Sequence, residues 1–153
     1  MTTTQYDAIV VGARCAGAAT AMLLARQGAR VLLVDSARPG TDTMSTHALM
    51  RGAVMLLERW GLAAPLRAAG TPQVSRTSFI YGAAALDLDI RPEEGVETLM
   101  APRRYLLDAM LARAAAEAGA ELRYETACVG LLRDEAGRVH QDAIGHRHGL
   151  CLI

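Results

Sequence analysis

The fold is decided by Tyr6 to Asp35, which reads YDAIVVGARCAGAATAMLLARQGARVLLVD. Its opening YDAIVV is too short for a helix and rich in branched apolar side chains, the pattern of a parallel strand buried on both faces. Gly12 ends that run. From Cys15 to Gln27 the chain is dominated by alanine, leucine and methionine, the strongest helix formers, and Gly28 stands where a helix C-terminus takes a left-handed residue. Arg30 to Val34, RVLLV, is a second buried-strand run that closes on Asp35. Strand, glycine turn, helix and strand make a βαβ unit, whose crossover is right-handed. The expected fold class is α/β, Rossmann-like, with a parallel βαβ start.

The turn of that unit is GARCAG, Gly12 to Gly17. In a dinucleotide-binding unit the first glycine permits the tight turn, the second admits the backbone to a pyrophosphate, and the third lets helix and strand pack closely. Gly12 and Gly17 fill the first and third places, and Arg14 stands at the second. Its side chain either hinders the close approach that glycine allows or adds a guanidinium to the phosphates' surroundings. The open N–H groups and positive end of the following helix already make an anion site there, which favours the second alternative. Asp35 falls about 20 residues downstream, where the fingerprint places a carboxylate for ribose hydroxyls. The competing structural explanation is a bare βαβ unit whose glycines serve packing alone.

Working outward, Ala48 to Trp60 carries Leu49, Val54, Met55, Leu56 and Leu57 and is stopped by Gly61, which predicts a second helix. After Pro72 the pattern changes. Ser75–Tyr81 and Ala85–Ile90 flank Gly82, with Leu86, Leu88 and Ile90 alternating against Asp87, Asp89 and Arg91, as in a half-exposed antiparallel ribbon. Arg103 to Ala118 returns to helix, with Leu106, Met110, Ala114 and Ala118 on one stripe and Gly119 as the stop. Glu121 to Glu125 alternates as a strand, and Val129–Leu132 with a turn at Glu135–Gly137 suggests a hairpin. The strand pattern is lost after Val139. The expected organisation is residues 1–139 as the N-terminal part of one domain, 71–101 within it as the start of a substrate-domain ribbon, and 140–153 as an irregular tail, a continuation altered for instance by a shifted reading frame.

Composition narrows the classes. The 153 residues are 52% hydrophobic and 21% charged, and sixteen basic residues balance sixteen acidic ones. That excludes intrinsic disorder and lacks the basic footprint of a nucleic-acid binder, so no nucleic-acid partner is expected. Every basic residue is arginine, a coding bias for the most part. Met1 to Asp7 carries no basic residue and the apolar stretch Ala16–Ala25 is short of the ~20 residues a bilayer needs, so a cytoplasmic protein without a membrane span is expected. Cys15, Cys128 and Cys151 form no CxxC pair. His140, His146 and His148 suggest a metal only by composition, and no metal is expected.

The stretch Tyr6–Asp35 resembles the N-terminal segment of FAD-dependent oxidoreductases of the aromatic-hydroxylase and geranylgeranyl-reductase type, in which a VGARCAG form of the turn recurs. The resemblance extends through DTMSTHALMRGAVMLLERWGL, Asp42 to Leu62, and PRRYLLDAML, Pro102 to Leu111, where Arg104, Leu107, Asp108 and Leu111 match the family pattern. It covers roughly Tyr6 to Val139.

The resemblance implies FAD as the dinucleotide in a Rossmann-like FAD/NAD(P)-binding domain, with NAD(P)H as the reductant. It further implies Gly12, Ala13, Arg14, Ala16 and Gly17 around the pyrophosphate, Asp35 on the adenosine ribose, Arg104 reaching the cofactor, and Val129 near the adenine through its main chain. Arg103 is the alternative to Arg104 should the register differ by one, and a solvated surface role is the competing explanation for Arg104 itself. His47 falls where the family's loop nears the flavin, although a helix-start role beside Ser45 or Thr46 is favoured. Cys15 is expected to be a small packed residue.

Members of this family are longer and return to the cofactor with a later glycine-and-aspartate motif that this chain lacks. The expected function is thus the FAD-binding N-terminal portion of a flavin-dependent monooxygenase or reductase, with no catalytic residue or substrate identifiable. The alternatives are a non-catalytic nucleotide-binding fragment and an NAD(P)-only dehydrogenase. With the rest of the sheet missing, the apolar faces of the Arg103 helix and the ribbon are expected to lack partners and to promote self-association.

Overall fold

The computed structural model describes residues 6–44, 48–130, 132–133, 135, 139–141 and 145–146. The chain divides into two compact units, one formed by 1–41 with 108–153 and the other by 42–107.

The first unit is built on a parallel three-stranded sheet of β1 (Ala8–Val11), β2 (Val31–Val34) and β7 (Glu121–Arg123), with β2 in the middle. The register sets Val10 beside Leu33 and Leu33 beside Leu122. Flanked on both edges, β2 buries all four side chains, Val31, Leu32, Leu33 and Val34. Each such side chain contributes roughly 1.5–3 kcal/mol, so VLLV anchors the unit. Helix α1 (Cys15–Arg26) packs on β1 and β2 through Ala18, Ala21, Met22 and Ala25, a stripe at three- and four-residue spacing whose alanines allow close approach. The predicted βαβ unit is present, with parallel pairing throughout.

Helix α4 (Arg104–Glu117) enters the first unit at Asp108 and there buries Met110, Leu111, Ala112, Ala114 and Ala115. Gly119, at φ +104°, follows its end. This corrects the expectation of an unpartnered helix face: the stripe is covered, because its alanines let the helix sink into the core. Beyond β7, β8 (Thr126–Ala127) pairs antiparallel with β11 (Gly145–His146), and β9 (Leu132–Arg133) with β10 (Val139–Gln141). A hairpin therefore forms around Glu135 as predicted, but Val129 precedes it outside any strand. Strand backbone continues past Val139 into β10 and β11, where the side-chain pattern had ceased to signal it.

The second unit contains α2 (Arg51–Trp60), α3 (Ala63–Ala68), the short pair β3 (Gln73–Val74) and β6 (Leu99–Met100), and the ribbon β4 (Arg76–Tyr81) with β5 (Ala84–Asp89). Helix α2 starts at Arg51 rather than at Ala48, because Leu49 and Met100 exchange backbone hydrogen bonds and Met50 is extended. Gly61 takes the left-handed conformation, φ +78°, and its N–H and that of Leu62 return to the carbonyls of Glu58 and Leu57. Helix α3 and the β3–β6 pair have too short a pattern to be predicted. In the ribbon, one face carries Phe79, Tyr81, Leu86 and Leu88, while the other carries an Arg76–Asp89 ion pair and a Ser78–Asp87 hydrogen bond. The amphipathic alternation is as predicted. The apolar face is nevertheless exposed rather than half-buried. Among the described residues no helix is long and apolar enough to cross a membrane.

Candidate functional site

The first unit brings the Gly12–Gly17 turn and Asp35 together at the C-terminal ends of β1 and β2. Gly12 donates its N–H to the Val34 carbonyl at 2.7 Å and turns the chain at φ +101°, a conformation glycine adopts without strain. A Cβ on Gly17 would lie 1.9 Å from the Gly12 carbonyl oxygen and 3.2 Å from Val10 Cγ1, so this position admits only hydrogen. The two glycines thus let α1 begin directly against the end of β1.

Helix α1 opens without a capping side chain and with no acidic residue in its first turn. Its first i→i−4 bond is donated by Ala18 to the Arg14 carbonyl, at 2.8 Å. The N–H groups of Ala16 and Gly17 precede that bond in the first turn and stand at the helix's positive end. That is a donor set suited to a phosphate or diphosphate.

Asp35 is buried, and both of its carboxylate oxygens accept backbone N–H groups: Oδ2 from Ala13 at 2.7 Å and Oδ1 from Ala37 at 2.8 Å. Its main chain is tied as well, the N–H to the Arg123 carbonyl and the carbonyl to the Thr126 N–H. Asp35 thereby fixes the glycine turn to the end of β2. A carboxylate has about four acceptor sites, so this leaves capacity for a hydroxyl donor.

Arg14 does not extend alone into solvent. Its Nη1 donates to the Thr41 carbonyl at 2.7 Å and to Asp108 Oδ2 at 3.0 Å, with its side chain 32% exposed and that of Asp108 7% exposed. The other carboxylate oxygen of Asp108 accepts the Cys15 thiol, Sγ to Oδ1 at 2.9 Å. Tyr124, at the end of β7, titrates above its ordinary range because burial disfavours the phenolate and the Asp35 carboxylate adds repulsion. It stays a neutral hydroxyl there.

Val129 follows β8 and is 61% exposed. Arg104 is the first residue of α4, in the second unit. At that helix start Arg103 pairs with Asp42, whose other oxygen accepts the Tyr105 N–H at 3.3 Å, so Asp42 both caps α4 and neutralises Arg103. The Arg103 hydrogen bond holds the Asp42 carboxyl below its ordinary range. His47, His148 and Cys151 lie outside the described residues.

Sequence reasoning missed what Asp108 does and read Tyr124 only as an alternating strand residue. The available signal for Asp108 was a carboxylate set among Leu107, Met110 and Leu111 on an otherwise apolar stripe, a residue that must find buried partners. Tyr124 gave no signal beyond ordinary strand alternation.

Comparison with known proteins bears on the same segments. The family model of the FAD binding domain matches residues 5–149, a span that includes most of the 140–153 segment. Menaquinone reductase of Mycolicibacterium smegmatis is 35% identical over 139 residues, covering 89% of this chain and 33% of that protein. Among solved structures, the myxobacterial FAD-dependent chondrochloren halogenase CndH aligns with a TM-score of 0.81 at 22% identity, over 96% of this chain and 34% of its own. A geranylgeranyl bacteriochlorophyll reductase-like protein from Thermoplasma acidophilum aligns with a TM-score of 0.76 at 23% identity, over 96% and 36%. At those identities the structures speak for the fold alone. The chain spans about a third of the length of each of these proteins. Matched along nearly its whole length and carrying the glycine turn, the uncapped helix and the strand-end carboxylate of such a domain, the chain belongs to the FAD binding domain family.

Proposed function

We propose that this chain binds the adenosine diphosphate half of FAD at the α1 N-terminus and is the FAD-binding portion of a longer flavin-dependent oxidoreductase, a reductase or monooxygenase. The observation that carries this is the uncapped first turn of α1 following Gly12, with Asp35 fastened to the turn through Ala13. In this reading the N–H groups of Ala16 and Gly17 hold phosphate oxygens, and Arg14 adds positive charge beside them. Asp35 accepts a ribose hydroxyl with the capacity its two backbone bonds leave. Arg104 and the main chain of Val129 serve the diphosphate and the adenine. When bound, the flavin supplies the redox chemistry, drawing electrons from NAD(P)H, while the protein binds and orients it. In this reading the protein works in the cytoplasm.

The test is titration of the purified chain with FAD, followed by desalting and a flavin absorbance spectrum. Retained flavin with a fixed stoichiometry is the expected result. Gly17→Val should abolish retention, because its side chain collides with the Gly12 carbonyl. Binding of NADH but not FAD would sink the proposal in favour of a nicotinamide-only unit. A second reading is a nucleotide-binding unit without turnover of its own. NADH oxidation with added FAD separates the two.

A further inference from the structure

We propose that Asp108 is a positioning residue of this cofactor site, fixing Arg14 by one nitrogen so that the remaining edge of its guanidinium is kept for the diphosphate. The inference rests on the cofactor reading above and adds a residue on a different element. Arg14 spends only Nη1 on the protein, with the Thr41 carbonyl at 2.7 Å and Asp108 Oδ2 at 3.0 Å as its two acceptors. Among the described residues Nε and Nη2 make no hydrogen bond. A guanidinium gripped at one corner keeps a planar two-donor edge, which matches two oxygens of a phosphate.

Asp108 is itself suited to hold rather than to bind. Its side chain is 7% exposed, and its two oxygens are divided between Arg14 and the Cys15 thiol. Arg14 is the residue before α1 and Cys15 is the first residue in it. One carboxylate thus grips two consecutive residues at the start of the anion site. The arginine that stands in the second glycine position is in this way held by one corner while its other edge is kept for the phosphates.

The experiment is calorimetric titration of the full chain with ADP and with adenosine, for the unsubstituted protein and for Asp108→Asn, Asp108→Glu, Arg14→Met and the Arg14→Met/Asp108→Asn pair. Asp108→Asn is expected to weaken ADP about tenfold and to leave adenosine unchanged. Asp108→Glu, which keeps the charge, should recover most of the ADP affinity. The double variant should bind ADP no more weakly than Arg14→Met alone, since Asp108 acts through Arg14. Unchanged ADP affinity in Asp108→Asn, an equal loss for adenosine, or additive losses in the double variant would each overturn the proposal. Should Asp108→Asn fail to fold, Arg14→Lys carries the test: lysine keeps the ion pair but has no second edge, so a selective loss for ADP is expected and wild-type affinity overturns the idea. If the unsubstituted chain binds neither FAD nor ADP, the cofactor reading falls and this proposal with it. Binding that Asp108→Asn leaves intact removes this proposal alone.

Discussion

At the residue scale, Gly17 and Asp42 carry the sharpest consequences. Because a Cβ at position 17 meets the backbone oxygen of Gly12 at 1.9 Å, Gly17→Ala must move either α1 or the end of β1. A loss of about 1–3 kcal/mol in urea unfolding is expected, of the size seen for overpacking. Asp42 titrates below its ordinary 3.8 because Arg103 and the Tyr105 N–H favour the carboxylate. A carboxyl depressed in the folded state adds stability above its unfolded pKa and loses it as pH falls through the folded value. Carbon-detected titration should therefore place the Asp42 midpoint below 3.8, and Arg103→Met should move it upward. An unmoved midpoint would show that the pair does not persist in solution. The glycines and Asp35 were legible in the sequence because turn chemistry is local. The Arg14–Asp108 pair was not, since its partners lie 94 positions apart.

At the element scale, the parallel sheet depends on β2. Leu33 is fully buried between β1 and β7, and Leu33→Ala is expected to cost about 2–5 kcal/mol by denaturant unfolding, transfer and cavity terms together. A cost under 1 kcal/mol would mean the core collapses around the gap. The long elements were readable in advance: α1 and α4 through composition and their glycine stops, β1 and β2 through unbroken apolar runs. The two-residue strands were not, because β3, β6 and β8 contain too few side chains to show a period. The start of α2 was misplaced because apolar Leu49 continues the helical pattern while its backbone bonds to Met100.

At the scale of the whole molecule, the β4–β5 ribbon presents an exposed apolar face. Phe79, Tyr81, Leu86 and Leu88 share that face and are each at least 42% exposed. Exposed apolar patches favour association, so Leu86→Ser with Leu88→Ser should lower the weight-average mass measured by light scattering at high protein concentration. An unchanged mass would clear the ribbon of any part in association. The electrostatic balance of sixteen against sixteen charges gives little net repulsion to oppose it.

The capping contact at the start of α4 has one more consequence. Asp42 begins the 42–107 unit, and it bonds to Arg103 and Tyr105 close to where that unit ends. The roughly sixty intervening residues therefore form a closed excursion, pinned at its neck by one carboxylate. Material can be added to or trimmed from such an excursion without changing the separation of its two ends. That makes the neck, rather than any point inside the excursion, the natural place at which such a segment could be joined or removed.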